Sequence, residues 1–482
     1  MSDFRPVLHL FGLILTALGV SMLVPTGIDL LDGSGNWREF FEAAIETTLS
    51  GTLLALATQG ERAGGLTTRQ AYLLTAAIWL GLPFFAGLPF IDGAPNASWT
   101  DAYFEAASGI TTTGYTVFSD LDDMPRSVLL WRGMLNWFGG LGIAFVAMIF
   151  LPVLRIGGMR YFQTEGFDTL GKVMPRAGDI ARSLLWVYLS LTATCAISYA
   201  ATGMSAFDAI CYAMATIATG GFGTHDTSFA SFSPAAQYAS VIFMLGSALP
   251  FIRYVQLGHG NLGPFWGDPQ VRTFLRWFSI ALTALLVWRY THDPQGIEPT
   301  FRSAAFNLSS IMTGTGFGTA NVSSWGSFAV VLVYWVGLIG GCTGSSSGAL
   351  SVFRWQALGA VIRTAVRRLH APHRVILPRL GDKLLEDDVL SSLILYFTGY
   401  ILALGVISVG ISMTGADFVS ALFATWGALG NIGYGVGPLT DRTGTMVDFN
   451  DAATWLMTLA MLLGRIGMLA ILVVFLPRFW RS

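Results

Sequence analysis

Four segments of the chain share a pattern whose residue types suit the binding of a dehydrated cation. Each segment runs from an aromatic residue through a mostly apolar stretch into a glycine that is followed by Tyr or Phe. Aligned on Gly114, Gly221, Gly316 and Gly433, they read WTDAYFEAASGITTTGYT, FDAICYAMATIATGGFGT, FRSAAFNLSSIMTGTGFGT and FVSALFATWGALGNIGYGV. Glycine permits positive φ and close backbone approach, so carbonyl oxygens of such loops can replace the water around a cation.

These segments form a fourfold internal repeat. The four glycines are 107, 95 and 117 residues apart, and each segment lies between two long apolar runs. The repeating unit is therefore a span, a re-entrant helix, a glycine loop and a second span. Irregular backbone at membrane depth must be buried in protein or line a water-filled cavity, so we expect the four loops to meet around one axis. The glycine runs also resemble phosphate loops, but no strand precedes them, which disfavours nucleotide binding.

Composition predicts an integral membrane protein. The 482 residues are 53% hydrophobic and only 12% charged, and soluble domains carry about twice that share of charge. The 56 glycines exclude a coiled coil, and the low charge excludes a disordered chain. Three cysteines and six histidines form no metal site, disulfide framework or nucleophile constellation, so we expect no enzyme.

Ten apolar runs are long enough, or nearly so, to cross a bilayer. They lie at 7–30, 40–58, 70–91, 128–154, 180–202, 235–257, 273–290, 325–353, 389–413 and 453–476, and the second is the weakest because it contains Glu42 and Glu46. We therefore predict an all-α polytopic membrane protein with ten transmembrane helices and four re-entrant pore helices. The first apolar run has no small-residue cleavage site, so it is interpreted as a retained span and not as a signal peptide.

Basic residues predict the orientation. With the N-terminus inside, twenty of the 27 Lys and Arg residues fall on inner segments. Six fall on outer segments, namely Arg38, Arg126, Arg132, Arg289, Arg302 and Arg442. Basic residues stay on the cytoplasmic side of short loops, so both termini are expected in the cytoplasm. The outer loops are acidic, which would concentrate cations at a pore mouth, although ordinary solvated loops are the simpler interpretation.

The predicted units follow the repeats. Residues 1–62 hold two extra N-terminal spans, 63–160 the first pore repeat and 161–262 the second. Residues 263–385 hold the third repeat with an intramembrane loop, and 386–482 the fourth.

The motifs together resemble the TrkH/Ktr/HKT superfamily of potassium transporters, in particular its bacterial TrkH branch, over nearly the whole chain. The resemblance rests on TTTGY, TGGFGTH, GTGFG and NIGYG, on NWFGGLGI (136–143) and KVMPR (172–176), and on SALPFIRY (247–254), GGCTGSSSGAL (340–350) and GRIG (464–467). It implies that K⁺ is the transported ion, with no organic cofactor, and that backbone carbonyls form a selectivity filter. The implied carbonyls are those of Thr112, Thr113, Gly114, Thr219, Gly220, Gly221, Gly314, Thr315, Gly316, Asn431, Ile432 and Gly433. In the superfamily a serine in place of the first filter glycine accompanies sodium permeation, so Gly114 favours potassium.

The eighth span contains a run that is unsuited to a helix interior, because glycine and serine both disfavour helix there. It comprises Gly340, Gly341, Cys342, Thr343, Gly344, Ser345, Ser346, Ser347 and Gly348. We expect a broken helix with a polar loop under the filter. The resemblance implies that this loop is the gate, and a flexible hinge packed between helices is the alternative. The family's lysine after this loop is replaced by Ser351, and Arg354 lies one turn further on.

Arg465 lies near the middle of the last span, where a charge is costly and usually faces a cavity or a partner. The resemblance implies a barrier to cations below the filter, and a structural ion pair is the alternative. The family's glutamate two residues later is Gly467 here. Asp208 is predicted to cap the second pore helix, and His225 to lie at the outer mouth or in a solvated loop.

The predicted function is potassium uptake through a channel-like filter. By resemblance the protein is a homodimer in the lipid bilayer of the bacterial cytoplasmic membrane, regulated by a cytoplasmic TrkA-type nucleotide-binding subunit, with no nucleic acid partner. The basic stretch Arg363–Lys383 could dock that subunit or contact anionic lipid headgroups. The alternative function is a secondary cation symporter, coupling K⁺ to H⁺ or Na⁺ by alternating access.

Overall fold

The computed structural model describes residues 4–60, 66–150, 177–292, 296–371, 373, 376–381, 383–385 and 387–467. The predicted unit boundaries near 62, 160 and 386 and the motif at 172–176 lie outside these residues. The helices are α1 Arg5–Ser21, α2 Leu23–Asp32, α3 Trp37–Ala57, α4 Thr68–Ala86, α5 Leu88–Asp92, α6 Trp99–Ile110, α7 Arg126–Phe150, α8 Ala177–Ala201, α9 Ala206–Ala218, α10 Pro234–Ser247, α11 Phe251–Gly258, α12 Gly263–Gly267, α13 Pro269–His292, α14 Ile297–Thr313, α15 Ser327–Ile339, α16 Val352–His370, α17 Asp387–Met413, α18 Phe418–Leu429, α19 Pro438–Asp441 and α20 Asp451–Ile466. A two-residue antiparallel hairpin, β1 Arg379–Leu380 with β2 Lys383–Leu384, is the strand structure within the described part, and the predicted all-α class is confirmed.

Among the described residues, six helical stretches are long and apolar enough to cross a membrane. They are Arg5–Asp32, Trp37–Ala57, Arg69–Asp92, Gly178–Ala201, Pro269–His292 and Val389–Met413. The weak second span predicted from the sequence is among them. The pair α10 and α11 is a seventh candidate if it is counted as one span, and it bends by 95° at its break. The bend falls at Pro250, which has no N–H to continue the helical hydrogen bonds.

The predicted count of ten spans stays a prediction. α15 has only 13 residues, because the glycine-rich run starts directly after it. α20 has 16 residues and ends close to the last described residue. α7 has 25 residues, and the side chains of its last eight lie outside the description.

The N-terminal helices pack through small residues. A methyl group on Gly12 would stand 2.7 Å from both the carbonyl oxygen of Gly51 and the amide nitrogen of Ala55. His9 Nδ1 also lies 2.8 Å from the Ala55 carbonyl oxygen. Close backbone approach of this kind is the usual way in which helices associate inside a membrane. The extra spans are therefore held to each other, with α1 against α3.

Side-chain caps fix where three of the four pore helices begin. Ser98 Oγ accepts a hydrogen bond from Asp101 N at the start of α6 (3.1 Å), and Asp417 Oδ1 accepts from Val419 N and Ser420 N at the start of α18. α9 is capped by Ser205, whose Oγ accepts from Asp208 N at 3.0 Å. Ser205 is therefore the N-terminal cap of α9, and the prediction that Asp208 caps this helix was wrong by about one turn. A hydroxyl directly before the helix reaches the free N–H groups, and the carboxylate inside the first turn adds the favourable dipole interaction.

Candidate ion-conducting site

The four predicted filter loops meet in a closed ring. In every loop a methyl group on the filter glycine would overlap the carbonyl oxygen of the middle filter residue of another loop. The pairs are Gly114 with Gly220, Gly221 with Thr315, Gly316 with Ile432 and Gly433 with Thr113. The first loop thus touches the second, the second the third, the third the fourth, and the fourth returns to the first. Side chains larger than hydrogen do not fit at these contacts, so the ring requires glycine.

Each filter triplet has the same backbone alternation. The first residue is left-handed, with φ of 53° at Thr112, 51° at Thr219, 73° at Gly314 and 49° at Asn431. The last residue is also left-handed, with φ of 86° at Gly114, 77° at Gly221, 85° at Gly316 and 69° at Gly433. The middle residues are outside this region. Left-handed φ costs a non-glycine residue about 1 to 2 kcal/mol, so the surrounding contacts must hold the first residue in place. Alternation of this kind turns successive carbonyls toward one side of the chain.

Polar side chains tie neighbouring loops together. Tyr115, directly after the first filter, donates to the carbonyl oxygens of Phe423 and Tyr434 at 3.0 and 3.2 Å. Asn431 Nδ2 donates to Thr113 Oγ1 at 2.9 Å, which joins the fourth filter to the first. Asn136 accepts from Phe222 N at 3.1 Å. These bonds explain why an aromatic residue recurs after the filter glycine: at two of the four loops its hydroxyl anchors an adjacent loop.

Two pore helices carry an equivalent internal brace that the sequence analysis missed. Glu105 and Asn307 each lie nine residues before their filter glycine. Glu105 Oε2 accepts from Val117 N at 3.0 Å, and Asn307 Oδ1 accepts from Thr319 N at 3.2 Å, three residues after the glycine in both loops. The sequence did contain a signal for this brace, namely a polar residue nine positions before the filter glycine in two of the mostly apolar segments.

The brace at Glu105 extends to a second loop through a buried arginine. Arg132 Nε donates to Glu105 Oε1 at 2.8 Å, with side-chain exposures of 1% and 0%. Arg132 Nη1 donates to the Gly223 carbonyl oxygen at 2.9 Å, and its guanidinium lies 4.3 Å from the centre of the Phe222 ring. The topology prediction placed Arg132 and Arg289 on outer segments, and the structure adds that both side chains are buried within helices. A buried pair with its hydrogen bonds satisfied fixes geometry, here the geometry of filters one and two.

The glycine-serine run lies under the filter, where the broken-helix prediction placed it. α15 ends at Ile339, and α16 begins at Val352. Ser346 Oγ donates to the Ile217 carbonyl oxygen at 2.8 Å, and Ala349 N donates to that of Gly430 at 2.9 Å. Both acceptors belong to residues just ahead of a filter. The loop is therefore bonded to the inner ends of the second and fourth pore segments.

Arg465 contacts this loop directly. Its Nη2 donates to the Ser346 carbonyl oxygen at 3.0 Å, so the last helix is joined to the residue that also bonds the second pore helix. Arg354, by contrast, stacks its guanidinium 3.8 Å from the centre of the Tyr396 ring on α17. Its Nη1 also donates to the Leu350 carbonyl oxygen at 3.0 Å, two residues past the glycine-serine run.

The two departures from the family pattern have identifiable places. Ser351 is buried, has φ of 68°, and accepts a hydrogen bond from Thr343 Oγ1 at 3.0 Å, so it braces the loop from below. Gly467 has φ of 85° and ends α20.

His225 lies beside two carboxylates near the outer end of the second filter. Its Nδ1 bonds Asp122, and its Nε2 lies 3.6 Å from Asp208 Oδ1. The His225 side chain is 31% exposed. The contact joins the loop after the first filter to the start of the second pore helix.

The hydrogen bond from His225 lowers the pKa of Asp122. A carboxyl with a lowered folded pKa adds stability above its unfolded pKa of about 3.9, and that stability is lost as pH falls through the folded pKa. We expect Asp122→Asn to lower the thermal unfolding midpoint at neutral pH by the equivalent of at most about 1 kcal/mol, because the pair is partly exposed. The difference between the variant and the parent should shrink as pH falls through the lowered folded pKa of Asp122. Asp123→Asn is the control, and a loss that is the same at neutral and acidic pH would contradict the assignment.

Comparisons with known proteins agree with this geometry. A model of the TrkH family, described as a cation transport protein, matches residues 38–482. The Trk system potassium uptake protein TrkI of Halomonas elongata is 34% identical over 99% of this chain and 97% of its own length. TrkH of Escherichia coli K12 is 34% identical over 99% of this chain and all of its own. The crystal structure of the potassium transporter TrkH from Vibrio parahaemolyticus has a TM-score of 0.91 and 33% identity, with 100% of both chains covered.

Proposed function

The chain belongs to the TrkH family of cation transport proteins, and on that premise we propose that it conducts potassium into the cell through the ring of four glycine loops. The closure of the ring, from Gly114 round to Gly433, is the observation that carries the proposal. Backbone carbonyls are the ligands that replace the hydration shell of K⁺ in selective filters. The twelve carbonyls predicted from the sequence, three from each loop, would supply these ligands. The presence of glycine at all four filter positions favours K⁺ over Na⁺ as cargo.

The loop Gly340–Gly348 is proposed as the gate. Its polar backbone lies across the inner ends of two pore segments and is bonded there through Ser346 and Ala349. Glycine at 340 and 344, with φ of 71° and 83°, gives the loop freedom to change conformation at low cost. Movement of this loop would open the path below the filter without disturbing the ring itself.

The decisive experiment measures K⁺, Rb⁺ and Na⁺ flux into liposomes that contain the purified chain, with and without a proton gradient. Uptake of K⁺ and Rb⁺ down their own gradients, with slower Na⁺ uptake, is expected. Flux that requires a proton or sodium gradient would overturn the channel proposal in favour of alternating-access symport. Equal flux of all three ions would overturn only the assignment of K⁺ as the preferred cargo.

Arg465→Ala is expected to raise K⁺ flux at equal protein level. The substitution removes a positive charge from the path and the bond from Nη2 to the Ser346 carbonyl oxygen. A hydrogen bond from a charged donor contributes about 1.5 to 3 kcal/mol, so its loss would increase the open fraction about tenfold or more.

Arg354→Ala is the matched control for this prediction, since that arginine packs on Tyr396 and bonds the Leu350 carbonyl oxygen, outside Gly340–Gly348. Flux through the control should stay at the parent level. Unchanged or lower flux in Arg465→Ala would refute the barrier role.

The assembly and location are part of the same proposal. The relatives are named as components of a Trk system, which fits a homodimer that works with a TrkA-type nucleotide-binding subunit. The proposed location is the cytoplasmic membrane of a bacterium, with both termini in the cytoplasm, as the distribution of basic residues predicts.

A further inference from the structure

A basic groove lies outside the pore, between the end of α16 and the segment that leads to β1. Its volume is about 910 Å³, and its basic lining residues are Arg363, Arg367, His370 and Arg379. None of the residues that line it is acidic. Arg368 on α16 bonds the segment on the other side of the groove, since its Nε and Nη2 both donate to the Ile376 carbonyl oxygen at 2.9 and 2.6 Å. The groove is therefore a built concave site with uncompensated positive charge.

The packing of α16 on α17 places this groove at the membrane surface. Arg354 and Trp355, at the start of α16, pack on Tyr396 and Phe397 of α17. Closer to the start of α17, Val389 shares a buried cluster with Ala360, further along α16, so the two helices run antiparallel. Val389 is where the apolar span of α17 begins. With a rise of 1.5 Å per residue, residues 363 to 367 lie about 5 to 10 Å beyond that level. The headgroup layer extends about 5 to 8 Å beyond the hydrocarbon on each side, so the arginines lie at its depth.

An apolar stripe runs beside the arginines on the same helix. Ile362, Val366 and Leu369 are 53%, 48% and 80% exposed. Each of them directly precedes one of Arg363, Arg367 and His370 in the sequence. The apolar residues and the basic residues therefore lie on adjacent faces of α16. Leu377, in the groove wall, is also 49% exposed. Exposed aliphatic side chains at this depth suit acyl chains, and guanidinium groups beside them suit phosphate.

We propose that this groove binds an anionic phospholipid, with the phosphate held by Arg363, Arg367 and Arg379 and an acyl chain along Ile362 and Val366. The pairing of a basic cavity with an exposed apolar stripe at membrane level favours a lipid over an acidic protein surface, which would leave the aliphatic residues uncovered. The site is separate from the ion path and does not depend on the proposed function.

The test uses the full chain in nanodiscs of phosphatidylcholine alone or of phosphatidylcholine with phosphatidylglycerol. Spin-labelled phosphatidylglycerol and phosphatidylcholine report the affinity of each lipid for the protein. A hydrogen bond from a guanidinium to a phosphate contributes about tenfold in affinity, so Arg363→Gln/Arg367→Gln, which removes two such donors, should weaken phosphatidylglycerol binding about a hundredfold. Phosphatidylcholine binding should not change.

Arg272→Gln/Arg276→Gln is the matched control, because it removes two exposed arginines from the start of α13, outside the groove. It should bind phosphatidylglycerol as the parent does, and both double variants should keep the parent's thermal unfolding midpoint. Equal weakening in the control, or parent-like binding in the groove variant, would overturn the proposal. Displacement of the label by inorganic phosphate alone would also overturn it, since the acyl contact would then be dispensable. If Arg363→Gln/Arg367→Gln still bound the lipid normally but no longer bound a regulatory subunit, the groove would be assigned to protein docking instead.

Discussion

Gly316→Ala is expected to abolish selective potassium uptake. Gly316 has φ of 85°, a conformation that costs alanine about 1 to 2 kcal/mol. The new methyl group would also stand 2.5 Å from the Ile432 carbonyl oxygen, an atom of the neighbouring filter that cannot yield without breaking the ring. The third and fourth loops would therefore separate, and we expect K⁺ flux into liposomes to fall by at least about a hundredfold, as for loss of positioned electrostatic ligands elsewhere.

Gly318→Ala is the matched control in the same loop. Gly318 is outside the left-handed region, and a methyl group there would make an ordinary contact of 3.8 Å with the Tyr434 ring. We expect parent-like flux from this variant. Thermal unfolding and gel filtration of both variants separate a local filter defect from misfolding. If Gly316→Ala kept the K⁺ selectivity of the parent, the proposal that the ring of four loops selects K⁺ would be contradicted.

Glu105→Gln is expected to destabilise the protein by about 3 to 5 kcal/mol, because it leaves Arg132 charged and unpaired in a fully buried position. The amide can still accept from Val117 N, as Asn307 does from Thr319 N in the third repeat. The loss should therefore come from the arginine and reach the second filter through Gly223. The measurements are the free energy of unfolding and the ratio of K⁺ to Na⁺ flux.

A double variant tests whether the unpaired arginine causes the loss of stability. Glu105→Gln/Arg132→Met removes both charges and keeps the bulk of the arginine stem, so it should recover much of the stability lost in the single variant. Glu298→Gln, which breaks an exposed pair with Arg302, should have little effect. If the single and double variants are equally unstable, the charge pair is not the source of the effect.

Local sequence accounts well for the elements. The four aligned segments predicted the pore helices, since α6 and α18 begin at Trp99 and Phe418, the aromatic residues that open their segments. The glycine-serine run predicted the break between α15 and α16, because such residues favour neither a helix interior nor lipid exposure. The register of four glycines predicted that the loops belong together.

Sequence reasoning missed specific contacts between side chains. It did not find that Arg132 is buried, because its partner Glu105 lies on another helix. Asp208 was predicted to cap a helix that Ser205 caps. In each case the deciding partner was a matter of geometry between side chains, which composition and spacing do not report.

The sequence by itself determined the membrane class, the fourfold repeat, the glycines of the filter and the break in the eighth span, because each depends on hydropathy or on backbone freedom that a residue type carries with it. The family followed from motifs spread over the whole chain. Only the tertiary structure decided that the loops close into a ring, that Arg465 bonds Ser346, and that a basic groove borders α16. These are contacts between residues far apart in sequence, and their free energy depends on distance and burial, which exist only once the helices have packed.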